Sequence, residues 1–152
     1  MVRPPRPVPH HAHRLVRWQR LALYTTGALL LLTGAGWLAI HYSIGAGAGE
    51  LPHPLEAWAL RLHGLLAFAG VFVFGVLAAG HVTQGWRLSY RRRWEGQRKS
   101  GVLLCSIGAL LAFSGYALFY FAPESIRPVL GWAHAFVGAV MAVLITSHRR
   151  GV

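Results

Sequence analysis

The sequence predicts an all-α integral membrane protein, a bundle of four transmembrane helices with up-down-up-down topology. Three observations predict it. The 152-residue chain is 55% hydrophobic and only 12% charged, whereas soluble domains carry about 25% charged residues. Four apolar runs each approach the ~20 residues that cross a bilayer core. The joints between the runs are short, which sets neighbouring helices antiparallel. So apolar a composition excludes a disordered chain. The single cysteine, Cys105, excludes an internal disulfide, a Cys-x-x-Cys-His haem attachment and a four-cysteine iron–sulfur site within the chain.

Residues 1–19 form a basic tail rich in Pro, His and Arg. The prolines between Arg3 and Pro9 block helix and favour an extended or disordered chain. The tail has the charge of a signal-peptide leader. The apolar stretch behind it is nevertheless long enough to span, and no small-residue cleavage site follows, so a retained first helix is expected. His10, His11 and His13 read as solvated tail residues, because no second cluster of ligands lies near them. Residues 20–150 form the transmembrane domain. Its runs are Leu21–Tyr42, Ala57–Trp86, Gly101–Ala122 and Val129–Ser147. A Gly/Pro-rich loop spans Gly45–Pro54, a short basic loop Arg87–Ser100, and a tight turn Pro123–Pro128.

Charge orients the bundle. Arg3, Arg6, Arg14, Arg17 and Arg20 precede the first helix. Arg87, Arg91, Arg92, Arg93, Arg98 and Lys99 join the second to the third, and Arg149 and Arg150 end the fourth. These 13 cations lie on one side of the bilayer. The other side has Arg61 and Arg127, with Glu50, Glu56 and Glu124. The positive-inside rule makes the cation-rich side, with both termini, cytoplasmic. The basic clusters are explained by topology, and no nucleic-acid partner is expected. Trp18, Trp58, Trp86 and Trp132 fall near run ends, where aromatic belts form.

The first and third runs share a pattern. Gly27-Ala-Leu-Leu-Leu-Leu-Thr-Gly34 and Gly108-Ala-Leu-Leu-Ala-Phe-Ser-Gly115 both read Gly-Ala-Leu-Leu-x-x-[Ser/Thr]-Gly. Seven residues make about two helical turns, so each glycine pair forms a strip on one face. Such a strip suits close helix packing, or it makes room for a large flat group; the repeat alone does not decide.

The second and fourth runs each carry two histidines, His63 with His81 and His134 with His148. Polar side chains in hydrocarbon are costly and call for a reason. Eighteen residues at ~100° each return His81 to the face of His63, and fourteen leave His148 ~40° from the face of His134. The two runs point the same way, so His63 can face His134 and His81 can face His148. Two neutral imidazoles on opposite sides of a plane make a bis-histidine haem site, and filling both axial positions favours electron transfer over oxygen binding. Gly64, Gly70, Gly75, Gly80, Gly131 and Gly138 would leave space for two macrocycles. His63 and His134 match in depth. The axial separations within the two helices, ~27 Å and ~21 Å, differ by ~6 Å, which helix tilt can absorb at the inner pair. One membrane histidine bonded to a hydroxyl or carbonyl is ordinary; four, paired by helix and by face, ask for a cofactor.

With Arg61-Leu-His63-Gly64, His81 followed by Gly85-Trp-Arg87, and Gly131-Trp-Ala-His134, the chain resembles the bacterial membrane b-type cytochromes over about Arg20 to Arg150. These include the haem-bearing anchors of hydrogenases, formate dehydrogenases and thiosulfate reductases, and free-standing di-haem four-helix relatives. The resemblance implies two haem b groups, a bacterial inner membrane, and electron exchange with the quinone pool and a redox partner protein or larger oxidoreductase complex. Metal ligands would be His63, His134, His81 and His148. Arg61 and Arg127 at the outer level would meet the propionates of the outer haem, or serve as interfacial anchors.

The expected function is therefore transmembrane electron relay, by a subunit rather than a stand-alone enzyme. No catalytic triad, phosphate loop or carboxylate pair is visible. Two alternatives stand beside it: a quinone-reactive subunit of an oxidoreductase complex, and a haem-free membrane anchor or assembly protein. His41 and His53, at the outer level, read as interfacial hydrogen-bonding residues or as contacts to a quinone, a propionate or a partner.

Overall fold

The structure is a computed structural model. It describes residues 15–92 and 95–150, with side chains described for 15–87 and 98–148. His10, His11 and His13, and the segment Arg3–Pro9, lie outside the described residues.

The described chain is helical, without strands. Helix α1 runs Arg17–Ile44, α2 Pro54–Leu77, α3 Thr83–Arg92, α4 Glu95–Tyr120 and α5 Arg127–Arg150. A π-helical turn, Ala78–Val82, joins α2 to α3 without a break, since Ala78 and Thr83 both keep right-handed helical backbone. Four segments are long and apolar enough to cross a membrane: Arg17–Ala48, Pro54–Arg87, Arg98–Tyr120 and Arg127–His148. The chain is a multi-pass membrane protein with an all-α four-helix architecture.

Local chemistry sets the ends. Val16 N–H donates to Gln19 Oε1, on the first turn of α1. Gly45 ends α1, and a 3₁₀ turn, Ala46–Ala48, closes on Gly49 at φ 87°, left-handed backbone that suits glycine. His53 caps α2: its Nδ1 accepts from Leu55 N–H, and Glu56 reaches back to His53 N–H. That is a capping box with Pro54 in the first helical position. At the far turn Ala122 N–H bonds Ala117 O, and Arg127 N–H bonds Pro123 O.

Helix α1 packs along α2, and α4 along α5; α1 also meets α5, while α2 and α3 meet α4. That cyclic order sets α2 and α5 on one diagonal of the bundle. Among the half-buried positions of α2 and the π turn, one stripe runs 59, 63, 66, 70, 73 and 80, alternating steps of three and four through buried Leu77, the 3.5-residue period of a left-handed bundle. Close approaches occur at glycine. A Cβ on Gly70 would come 3.3 Å from Leu30 Cδ1, one on Gly138 3.9 Å from Leu111 Cδ2, and one on Gly108 3.0 Å from the Phe74 ring. Gly70 and Gly138 thus lie against leucines of the neighbouring helices.

One expectation changes. Within the basic segment Arg87–Ser100, the described residues 87–92 and 95–100 are helical rather than loop. Helix α3 continues to Arg92 and α4 begins at Glu95, because no glycine or proline interrupts the segment before Gly96.

One end of the bundle, the basic end, carries Arg17, Arg87 and His148; the other, the loop end, carries residues 45–53 and 121–126.

Candidate functional site

The structure brings His63 of α2 and His134 of α5 together across the bundle diagonal. Their ring centroids lie 6.3 Å apart with planes at 78°. Each ring is held by the helix that precedes it in the chain. Thr33 Oγ1 of α1 lies 3.0 Å from His63 Nδ1, and Ser114 Oγ of α4 lies 2.7 Å from His134 Nδ1.

Nearby carbonyls give each hydroxyl a place for its proton. A hydroxyl has one proton to give. Thr33 Oγ1 lies 2.8 Å from the Leu29 carbonyl, and Ser114 Oγ lies 3.2 Å from the Leu111 carbonyl. With the proton directed there, each hydroxyl oxygen accepts from its histidine, Nδ1 carries the ring proton and Nε2 keeps its lone pair. This is the form in which imidazole binds a metal, with the second N–H tied down by a neighbour.

Glycine completes each seat. A Cβ on Gly34 would come 3.3 Å from His63 Cε1, and one on Gly115 3.4 Å from His134 Cε1. The shared [Ser/Thr]-Gly of the first and third runs is therefore a histidine seat: the hydroxyl orients the ring and the glycine lets it approach. Sequence reading marked the repeat but missed this role. The signal was the paired hydroxyl and glycine on the helix before each histidine helix.

The motif recurs at the basic end. Ser100 Oγ of α4 lies 2.7 Å from His148 Nδ1, and a Cβ on Gly101 would lie 4.0 Å from His148 Cε1. His81 is half-buried within the π turn. A π turn closes on residue i+5, so each of its residues advances less than the 100° of an α-helix. The 18-residue arithmetic that aligned His81 with His63 therefore no longer holds strictly.

Beside the histidines, Gly64 and Gly131 are half-buried, yet a Cβ on either would meet nothing within 4 Å. The same holds for half-buried Gly80, and exposed Gly75 also has no neighbour within that distance. Among the described residues only Gly45, Glu56, Leu77 and Ala122 are buried. A bundle closed by its own side chains would bury its inner stripe at crystal-like density; this one leaves it half-exposed.

The outer arginines have local partners. Arg127 Nη1 bonds Glu124 Oε1 and Nη2 bonds the Ala122 carbonyl, both at 2.8 Å, which clamps the turn before α5. The Arg61 guanidinium lies 5.4 Å over the Trp58 ring. At the loop end His41 Nδ1 lies 2.7 Å from Glu56 Oε2, and Trp132 Nε1 donates to Tyr42 Oη at 3.1 Å.

Among the described residues no group of three or more His, Cys, Asp or Glu stands together to hold a metal ion. The histidine pair offers two donors, as an ion needs when the remaining positions come from a planar chelate. No protein family matches the chain, no curated protein matches it in sequence, and no solved structure matches it. Function must then be read from the site itself.

Proposed function

We propose that this chain is a membrane cytochrome that relays electrons across the bilayer through two b-type haems. His63 and His134 hold the haem at the loop end; His81 and His148 hold the one at the basic end. The observation that carries the proposal is the central pair. Two imidazoles that held one metal ion between them would stand a few ångströms apart on facing helices. The pair stands at 6.3 Å. An edge-to-face aromatic contact covers the same range, but it needs no hydroxyl on each Nδ1. The two seats prepare both rings as neutral Nε2 donors, and a hydroxyl on one nitrogen leaves the other to be satisfied.

Haem b would supply a one-electron iron couple. The protein's own part is to orient and to enclose. Thr33 and Ser114 hold the ligand rings, Gly34 and Gly115 admit them, and Gly64 and Gly131 leave the inner face open. Ser100 and Gly101 do for His148 what the other two seats do for the central pair. Arg61 and Arg127, at the loop end, are the cations nearest in level to the propionates of the loop-end haem. On this reading the protein lies in a bacterial inner membrane and relays electrons between the quinone pool and a redox partner; the split of 13 cations against two supports cytoplasmic termini. The test is haem stoichiometry in single-histidine variants. His63→Ala and His134→Ala should each remove about one haem and leave the basic-end site occupied. Full haem content with an unchanged low-spin spectrum in both would refute this ligand pair.

A further inference from the structure

Glu56 is the one acidic side chain buried among the described residues, 8% exposed. It stands at the loop end of α2, seven residues before His63 on the same half-buried stripe. Its Oε1 accepts from Ala46 N–H at 3.1 Å and from His53 N–H at 2.9 Å. Its Oε2 meets His41 Nδ1 at 2.7 Å. The His53 contact completes the helix cap. The His41 contact is not needed for capping and couples a titratable ring to a buried carboxylate.

A carboxylate that already accepts two N–H groups is held as an acceptor. So His41 Nδ1 donates to it, and Nε2 carries the lone pair. The ring stacks on Trp37, with centroids 4.5 Å apart and planes at 14°, and meets Tyr42 edge-on at 4.8 Å. Its Cδ2–Nε2 edge lies beside Gly47, where a Cβ would come 2.6 Å and 2.8 Å from those atoms. Glycine keeps that edge clear of any side chain from the loop. The ring is 22% exposed, at the loop end.

We infer that His41 and Glu56 form a proton site linked to the redox state of the haem at His63 and His134. The inference rests on the haem reading above. With haem bound and reduced at the loop end, His41 Nε2 would hold a proton taken from water, as an imidazolium beside the Glu56 carboxylate. When the electron leaves for the redox partner, the proton returns to that water. The electron changes the iron charge by one and the proton changes the dyad by one, so the pair of events is balanced.

Other ionisable groups near the dyad are engaged elsewhere or differ in kind. Tyr42, from α1, accepts from Trp132 of α5. His53, from the loop, accepts from Leu55 N–H through Nδ1. Arg127 is bound to Glu124 and Ala122 O, and Arg61 lies over Trp58. Glu50 is exposed.

Seven residues of helix put the dyad about 10 Å above the level of His63. At an effective dielectric near 20, a unit charge at that distance changes proton affinity about tenfold. For a one-electron couple, tenfold corresponds to about 59 mV. The sign follows. Raising the pH strips the proton, removes a positive charge near the haem, and makes reduction less favourable.

The experiment is a redox titration of the haem-loaded protein from about pH 5 to pH 9, the range in which imidazole can change charge. His148→Ala is used as background, so that the loop-end haem alone is read. The midpoint should fall by about 60 mV as pH rises, and His41→Gln should flatten the curve. Glutamine still donates to Glu56 but cannot titrate. Glu56→Gln also weakens the cap, so His41→Gln is the deciding variant. Redox-difference infrared spectra should show imidazole bands that His41→Gln removes. Equal pH dependence in parent and His41→Gln, or none in either, overturns the inference. A preparation with no haem overturns the haem reading and the proton site with it, and is recognised before any titration begins.

Discussion

Thr33→Val isolates the hydroxyl that holds His63. Valine keeps the size and the branching of threonine, so α1 keeps its packing against α2 and its helical χ1 preference. What disappears is the oxygen 3.0 Å from His63 Nδ1. The ring keeps the Leu30 backbone as its other hydrogen-bond partner, so losing the hydroxyl costs at most about 1–3 kcal/mol. At about 1.4 kcal/mol per factor of ten, that is roughly 5- to 150-fold in binding. Loss of a partner behind a metal ligand costs about 10- to 100-fold, within the same range. Without that hydroxyl the ring can also move its proton to Nε2, the nitrogen needed for iron. Haem affinity at the loop-end site should therefore fall about 10- to 100-fold. Thr33→Ser restores the oxygen and should recover affinity to within about threefold of the parent. The assay is haemin titration of apoprotein in lipid nanodiscs, read by the Soret band. His148→Ala serves as background so that only the loop-end site reports. Thr33→Val binding haemin within about twofold of the parent would show that the hydroxyl does not prepare a ligand.

Other outcomes follow from the same geometry. Gly34→Leu should displace His63 and abolish loop-end haem binding. Gly27→Ala, where a Cβ meets nothing within 4 Å, should leave haem intact and raise thermal stability by up to about 1 kcal/mol from helix propensity. Ser100→Ala should weaken haem at the basic end about 10- to 100-fold and spare the loop-end site. Truncation after Ser147, paired with His148→Ala to separate ligation from anchoring by Arg149 and Arg150, should remove it. Topology reporters fused near residue 95 should be active on the cytoplasmic side and those near residue 48 on the outside; the reverse pattern would invert the orientation.

Much of the fold was legible because a bilayer imposes simple lengths on a chain. The apolar runs gave four crossings, and the short joints gave alternating direction. The extension of α3 to Arg92 was not, since a charged segment between two apolar runs has the composition of loop and helix alike. Histidine spacing located the central pair, because α2 is regular from Glu56 through His63. The same arithmetic was less secure for His81, because the π turn at Ala78–Val82 has no composition that marks it. The glycines divided by their neighbours. Gly70 and Gly138 lie against leucines, Gly34 and Gly115 against imidazoles, and Gly64 and Gly131 against open space. A sequence shows that glycine is present but not what it faces. The [Ser/Thr]-Gly repeat was visible, and its meaning needed the ring atoms in place.

The central claim is that the histidine pairs exist to hold haem. Its most direct measurement is the haem content per chain of protein purified from haem-replete cells, with the reduced-minus-oxidised spectrum of the same sample. The account predicts two b-type haems per chain, both low-spin, falling to one when either His63 or His134 is replaced by alanine. A folded preparation that is colourless, or whose haem content is unaffected by both replacements, would contradict it.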